Sequence, residues 1–453
     1  MEKENLYYFE KAPIAKAVAH FAIPMMLGMS MTVVYSILNA YFIGFLQDTA
    51  MLTAITLALP VFALIMAFGN LIGMGGGTYI SRLLGEKKYY RVKQVSSISI
   101  YSSILLGLLI IIITVPFIDS IVSLLGSSLH SFDYTKQYVL MLIIGSPFII
   151  LFFTMEQLVR SEGAANVSMI GMILSVAINI VLDLLFIFVL KLGIMGVAAA
   201  TILSNIMACI YFSYYMGKKS KFLTLSFREF SFEKTIFKHI LTIGVPVFLM
   251  NVFMGVTALF FNHFMMIYGD KAVAGYGISS RLQQFPEFFI MGVCEGVVPL
   301  IAYSFTADRK RMKKVLAFTS KLILGMAVLF GLIIFFTSSN LIGLFTNDIE
   351  LITVGSYILK VTFLSMFLSG FTFLIIGMFQ ATGQGTAAFV MAFVQGLVLI
   401  PILFFANFTF GFHGVVWSLF IADSITFIVA AAILYVLRNK LNSPSVEELL
   451  QGE

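Results

Sequence analysis

Long apolar runs alternate with short polar clusters along the whole 453-residue chain. Each run reaches the ~18 residues a helix needs to cross the hydrocarbon of a bilayer, and charge is concentrated between the runs. The pattern predicts twelve helices, at roughly 16–46, 51–82, 94–118, 134–158, 165–190, 193–217, 236–267, 272–304, 315–338, 351–378, 386–409 and 412–437. Several are longer than a straight crossing requires, which predicts tilt or protrusion. Glycines and prolines inside the runs do not argue against helix, because in lipid the backbone must satisfy its own hydrogen bonds.

Composition closes the solvent question. Hydrophobic residues make up 60% of the chain and charged residues 11%, too few charges to cover a soluble protein of this length. The net charge of +6 invites a nucleic-acid reading, but its placement excludes one. With the first terminus inside, the cytoplasmic segments hold 22 Lys and Arg and the outer loops only Lys136, Lys191 and Lys271. This is a positive-inside pattern, and it predicts a multi-pass protein of the cytoplasmic membrane with both termini cytoplasmic. The start, MEKENLYYFEKAPIAK, is polar, mixed in charge and runs straight into a full span, unlike a cleavable signal. Cys209 and Cys294 fall inside predicted helices and offer neither a disulfide framework nor metal spacing.

The chain repeats itself at about 220 residues. Pro24 in AIPMM pairs with Pro246 in GVPVF, and EKKYYRVKQV (86–95) with ADRKRMKKVL (307–316). VRSEGAANVSMIGM (159–172) pairs with FQATGQGTAAFVMA (379–392), and GIMGVAAATILSN (193–205) with GFHGVVWSLFIAD (411–423). Six helices per half is an even number, so the halves enter from the same side as parallel repeats. The fold class expected is therefore an all-α polytopic membrane protein, twelve transmembrane helices in two six-helix bundles related by pseudo-two-fold symmetry. The lobes would be 1–217 and 236–440, with a cytoplasmic linker at 218–235, a cytoplasmic tail at 441–453 and a central cavity between the bundles.

The embedded polar residues carry the chemistry. A charge at mid-bilayer costs at least ~2.5 kcal/mol, so such residues face an interior and have partners. Asp183 is the only ionisable residue between Glu162 and Lys191, one helical turn after Asn179 on the same face. The fourth helix adds Tyr138 near one end and Glu156 near the other. The first adds Tyr35 and Asn39, and the sixth Thr201 and Asn205. Together these define a candidate polar pocket in the first lobe. A carboxylate that changes protonation with access suits a proton site, and amide and hydroxyl oxygens suit Na+. Helix-to-helix bonding is the alternative role for Asp183.

In the eighth helix Glu287 follows Pro286, Glu295 lies deeper, and Arg281 sits nearer the interface, where pairing suits it. Asp423, counterpart of Asn205, is either a second proton group or a packing residue. Most of the 47 Phe and 25 Met belong to packing, but Met172 and Tyr35 are placed to face the pocket. The run GMGGGTYISRLLGEKK lacks the GK[ST] ending of a phosphate loop, and its small residues suit close helix contact. The five histidines are isolated in sequence, and no motif supports an enzyme.

Taken together, LNAYFIG in the first helix, GGGTYISRLLGEKK after the second, NIVLD in the fifth, GIMGV entering the sixth and ATGQG at 381–385 resemble the multidrug and toxic compound extrusion (MATE) family, in its DinF-like branch. The resemblance covers essentially the full chain. It implies a cation-coupling network at Tyr35, Asn39, Tyr138, Glu156, Asn179, Asp183 and Thr201. Asn39 stands where the branch commonly carries Asp, which leaves Asp183 as the main titrating member. The acids that another branch uses in helices 7 and 10 are absent here, and the C-terminal acids sit in helix 8.

What this implies is an antiporter exporting amphipathic, often cationic drugs, driven by H+ or Na+. Substrate would contact Glu287, Glu295, Met172 and Arg281. A bound Na+ would use Asp183, Asn179 and Thr201. No cofactor or nucleic acid is expected, membrane lipids are, and a monomer suffices. The rivals are a lipid-linked oligosaccharide flippase, which the acidic character of the embedded charges disfavours, and an ion channel.

Overall fold

A bilayer offers the backbone no hydrogen-bond partners, and the chain answers with helices alone. In the computed structural model, which describes residues 2–44 and 49–442, no strand occurs among the described residues. A short helix α1 (Glu2–Glu10) precedes α2 (Ile14–Gly44), α3 (Thr49–Gly85) and α4 (Tyr89–Thr114). A 3₁₀ turn at Val115–Phe117 carries α4 into α5 (Ile118–Leu124). Then come α6 (Phe132–Ser161), α7 (Ala165–Leu184), α8 (Gly193–Lys218) and α9 (Lys234–Met266). Helix α10 (Asp270–Gly296) runs on through Val297 into α11 (Val298–Ala307), followed by α12 (Arg309–Gly343) and α13 (Ile349–Ala381). Finally α14 (Gly385–Leu397) continues into α15 (Leu399–Asn442).

Eleven helical stretches of the described residues are long and apolar enough to span a membrane. The last, Gly385–Asn439, is 55 residues. At 1.5 Å per residue it would be ~80 Å long, more than twice the hydrocarbon thickness of a bilayer. It is in fact broken at Gly411, whose φ of 57° and ψ of −136° are not helical. The break falls between the segments expected at 386–409 and 412–437. The all-α polytopic fold expected from the apolar pattern is thus the one observed.

Contacts group the chain into two compact units: Met1–Lys11 with Met31–Phe248, and Ala12–Ser30 with Leu249–Glu453. In the first unit α6 is the central post, touching α3, α4, α7 and α8, and its apolar core includes Ala54, Val139, Ile143, Ile150 and Val197. In the second, α13 takes that place, touching α10, α12 and α15, around Phe261, Met265, Ile358, Leu403 and Val415. Helices α2 and α9 each divide between units. The first half of α9 joins the first unit through glycine notches. A Cβ on Gly75 would lie 2.2 Å from the Ile240 carbonyl oxygen, and one on Gly244 only 2.0 Å from that of Leu71. The first half of α2 joins the second unit in the same way, with Gly292 against Met26 and Gly296 against Phe21 and Ala22. Small residues let helix backbones meet where lipid gives no hydrophobic drive for association.

Candidate functional site

Helix α7 is built inside out. Its buried residues are Ala165, Ser168, Gly171, Ser175, Asn179 and Asp183, all small or polar. Its bulky apolar side chains, such as Ile170, Val181 and Leu184, point outward. In water that arrangement would be unstable. In lipid it is expected, because the outward face meets hydrocarbon and the polar stripe must find partners within the bundle.

The stripe finds them in order along the helix. Ser168 Oγ donates to Glu156 Oε1 of α6 at 2.5 Å. Ser175 Oγ donates to Asn205 Oδ1 of α8 at 3.2 Å. Asn179 Nδ2 donates to Thr201 Oγ1 of α8 at 3.4 Å, and that hydroxyl donates to the Val197 carbonyl at 3.2 Å. Asp183, 1% exposed, lies near enough to Tyr138 of α6 for its charge to act on the phenol. Two residues beyond Asp183 the helix widens into a π-helical turn, Leu185–Val189. Such turns occur often at functional sites, where they re-aim side chains.

Sequence grouping and spatial grouping agree for Asp183, Asn179, Thr201 and Tyr138. Glu156 sits apart: its partner Ser168 is 15 residues from Asp183 (183 − 168), ~22 Å along α7. Tyr35 and Asn39 lie on α2, but their side chains fall outside the described residues. Met172 is half-buried on α7. Sequence reasoning misses Ser175, although it stands one turn before Asn179 on the same stripe, and that spacing is the signal that finds it.

The second unit holds a different centre. Glu287 of α10 and Asp423 of α15, both half-buried, are close enough for one charge to act on the other. Ser365 of α13, whose hydroxyl donates to the Thr362 carbonyl at 2.6 Å, lies beside Asp423, and Tyr276 of α10 lies within electrostatic reach of Glu287. Nothing in the sequence ties Ser365 to these acids, whereas Tyr276 stands 11 residues before Glu287 (287 − 276), about three turns along the same face of α10. Glu295 lies eight residues beyond Glu287 (295 − 287), half-buried, and Arg281 is exposed. No group of three or more His, Cys, Asp or Glu placed to hold a metal ion occurs among the described residues.

A helical membrane protein with a polar centre inside each unit has the build of a transporter of small solutes. The MatE family profile matches residues 24–185 and 246–405, so it matches twice, 222 residues apart (246 − 24). The chain belongs to the MatE family. It is 47% identical over 455 residues to the multidrug export protein MepA of Staphylococcus aureus, covering 100% of both chains. It is 47% identical over 452 residues to the protein of that name from Staphylococcus saprophyticus, again covering 100% of both. Its fold is that of a MATE protein crystallised in complex with MaL6, with a TM-score of 0.91, 23% identity, and 97% and 100% of the two chains covered. An outward-facing multidrug resistance MATE family transporter of the MOP superfamily gives 0.88 at 23% identity, covering 95% and 98%. Membership makes the chain a transport protein and not an enzyme.

Proposed function

We propose that this chain exports amphipathic, often cationic organic compounds across the cytoplasmic membrane in exchange for H+ or Na+, with the cation engaging Asp183. The observation that carries the reading is the α7 stripe, a buried carboxylate with an amide, a hydroxyl and a phenol around it. The relatives' names, multidrug export proteins, support the cargo class. A proton would neutralise Asp183. A sodium ion would take oxygens of Asp183, Asn179 and Thr201, with the Asn179 amide flipped to present Oδ1 in place of Nδ2. Tyr35 and Asn39, with Glu156 set apart at Ser168, complete the proposed coupling set. Glu287, Glu295, Met172 and Arg281 form the proposed substrate set, with acids favouring cationic cargo.

Coupling requires that cation and drug prefer different conformations of the same protein. One net charge moving through 100 mV supplies ~2.3 kcal/mol, enough for a roughly 50-fold drug gradient. The transporting bodies are two six-helix lobes, 1–217 and 236–440, joined by the linker 218–235 and followed by a tail, 441–453, in pseudo-two-fold relation, with both termini cytoplasmic and one chain sufficient. The doubled family match and the shared φ of 57° at the turn glycines Gly193 and Gly411 support that plan. The test is ethidium efflux from vesicles under separately imposed H+ and Na+ gradients, comparing the parent with Asp183→Asn. Loss of uphill efflux is expected. Full retention under every gradient would remove Asp183 from the coupling step.

A further inference from the structure

The linker after α8 is not a slack tether. Ser96 Oγ donates to the Thr224 carbonyl at 2.8 Å and accepts from the Thr224 amide at 3.0 Å. Ser97 Oγ donates to the Ser226 carbonyl at 3.0 Å, and Tyr101 Oη to that of Leu225 at 2.7 Å. Residues 224–226 are therefore strapped along the first turns of α4. Upstream, Ser220 Oγ donates to the buried Glu162 carboxylate at 2.6 Å and accepts from the Leu223 amide at 2.9 Å.

Beside the strap lies a cleft of about 530 Å³ lined by Lys93 and Lys221 together with Ser220, Leu223, Thr224 and Leu225. Just past it the linker presents an aromatic ridge. Phe227 and Phe230 stack 5.4 Å apart with rings nearly parallel, both edge-on to Tyr101, and Phe232 packs edge-on to Phe230 at 5.0 Å. Phe227 is 65% exposed and Phe232 81%. Bulk water would penalise such a ridge, but a lipid interface would not. The position on α4 fits an interface. Lys93 is its last cation, and Tyr101 stands eight residues further on, ~12 Å deeper, before the unbroken apolar run begins. The linker is basic along its sequence as well, with Lys218, Lys219, Arg228 and Lys234 against Glu229 and Glu233.

We propose that the strap is a binding site for an anionic phospholipid, its headgroup phosphate held by Lys93 and Lys221 and its glycerol and upper acyl region laid on Phe227, Phe230 and Phe232. The basic cleft alone would suit any phosphate; the aromatic ridge, exposed at Phe227 and Phe232, selects a lipid. The excess of cations selects an anionic headgroup over a zwitterionic one, each nearby lysine strengthening anionic-lipid attraction. Assignment to the cytoplasmic leaflet rests on the positive-inside orientation, but binding itself is independent of orientation and of transport.

The experiment is native mass spectrometry of the full chain in detergent with added phosphatidylglycerol, phosphatidylcholine or inorganic phosphate. Preferential retention of phosphatidylglycerol is expected. Lys93→Gln should weaken it about fivefold, and the double variant with Lys221→Gln about 30-fold. Phe227→Ser with Phe232→Ser should reduce retention of both lipids alike. All four side chains sit at the surface or cleft wall, and unchanged melting in lipid-free detergent checks that each variant folds. Retention of phosphatidylglycerol by the double lysine variant at the parent level would overturn the proposal. So would equal retention of the two lipids by the parent, or displacement of phosphatidylglycerol by equimolar inorganic phosphate. Because no gradient is applied, none of these results depends on whether Asp183 couples efflux.

Discussion

The two units share a backbone plan but not a chemistry. Between the turn glycines Gly163 and Gly193 the first unit has 30 positions (193 − 163), and between Gly383 and Gly411 the second has 28 (411 − 383), with positive φ at all four. The π-helical turn Leu185–Val189 lies inside that interval and takes up part of the excess. Upstream of it the offset is 220, which pairs Asn179 with Leu399 and Asp183 with Leu403. Both leucines belong to the second unit's apolar core. The second unit carries its acids elsewhere, as Glu287 of α10 and Asp423 of α15, within electrostatic reach of each other. The turn glycines therefore recur in both halves, while the polar centres differ in position. In the proposed function these two centres serve two ligands, a small cation in the first and an organic cation in the second.

The strongest way to break this contrast is to write the second unit's residue into the first. Asp183→Leu should abolish uphill ethidium efflux in vesicles. It should leave thermal stability close to the parent's, because relief from burying a carboxyl offsets the polar partners left behind. A variant that melts early and still pumps would mean that Asp183 serves packing rather than coupling. Next in size are Glu287→Gln and Asp423→Asn. Each should lower efflux of a monocationic dye about tenfold, measured as initial rate. The double variant should be little worse than either single one, because groups acting as one unit are non-additive. Independent, additive losses would dissolve the pair.

What the sequence reveals and hides follows from the physics of each feature. Helices and spans are legible because lipid permits little else, and even the break at Gly411 is marked by the repeated glycine of GIMGV and GFHGV. Residues sharing a helix face are legible by spacing, so Asn179 and Asp183 come together on paper as they do in space. Depth is legible only within a helix. Glu156 and Tyr138 stand at opposite ends of one helix, so their separation in depth can be read along it, but the level of α7 that Glu156 meets, at Ser168 four turns from Asp183, cannot, because spacing says nothing of the register between neighbouring helices. Long-range partners are hidden altogether: Ser365 and Asp423 are 58 residues apart (423 − 365), on helices whose packing only the fold decides.

The contrast extends to the turn after each central helix. Glu162 is buried at the end of α6, whereas its counterpart at offset 220, Thr382, bonds the carbonyl of Met378 within α13. Burial pushes the Glu162 carboxyl up from 4.5 to about 7, against hydrogen bonds from Ser220 and Tyr215 that oppose the rise. Between those values the folded chain keeps a proton that the unfolded chain has lost, so stability falls as pH rises through the window. The penalty is absent below pH 4.5 and complete above about 7, where the shift corresponds to ~3 kcal/mol. Glu162→Gln keeps an acceptor for Ser220 and removes the titration. It should melt several degrees higher than the parent at pH 8 and nearly level with it at pH 5. An equal gain at both values would show that the carboxyl is ionised throughout.

The smallest expected effect tests the shared backbone itself. Gly193 and Gly411 have the same φ of 57°, and a Cβ at either would meet only one side chain at ordinary contact distance, Met51 or Tyr268 at 3.5 Å. Alanine at these positions therefore adds conformational strain without a steric clash, and a sparsely populated positive-φ conformation costs a non-glycine residue about 1–3 kcal/mol. Gly193→Ala and Gly411→Ala should each lower the melting temperature by a few degrees and by similar amounts. Gly217→Ala, at a helical site with open space around it, should change it little. A large loss at one turn and none at the other would mean that the halves share glycines without sharing a turn, and the repeat would then be one of sequence and not of structure.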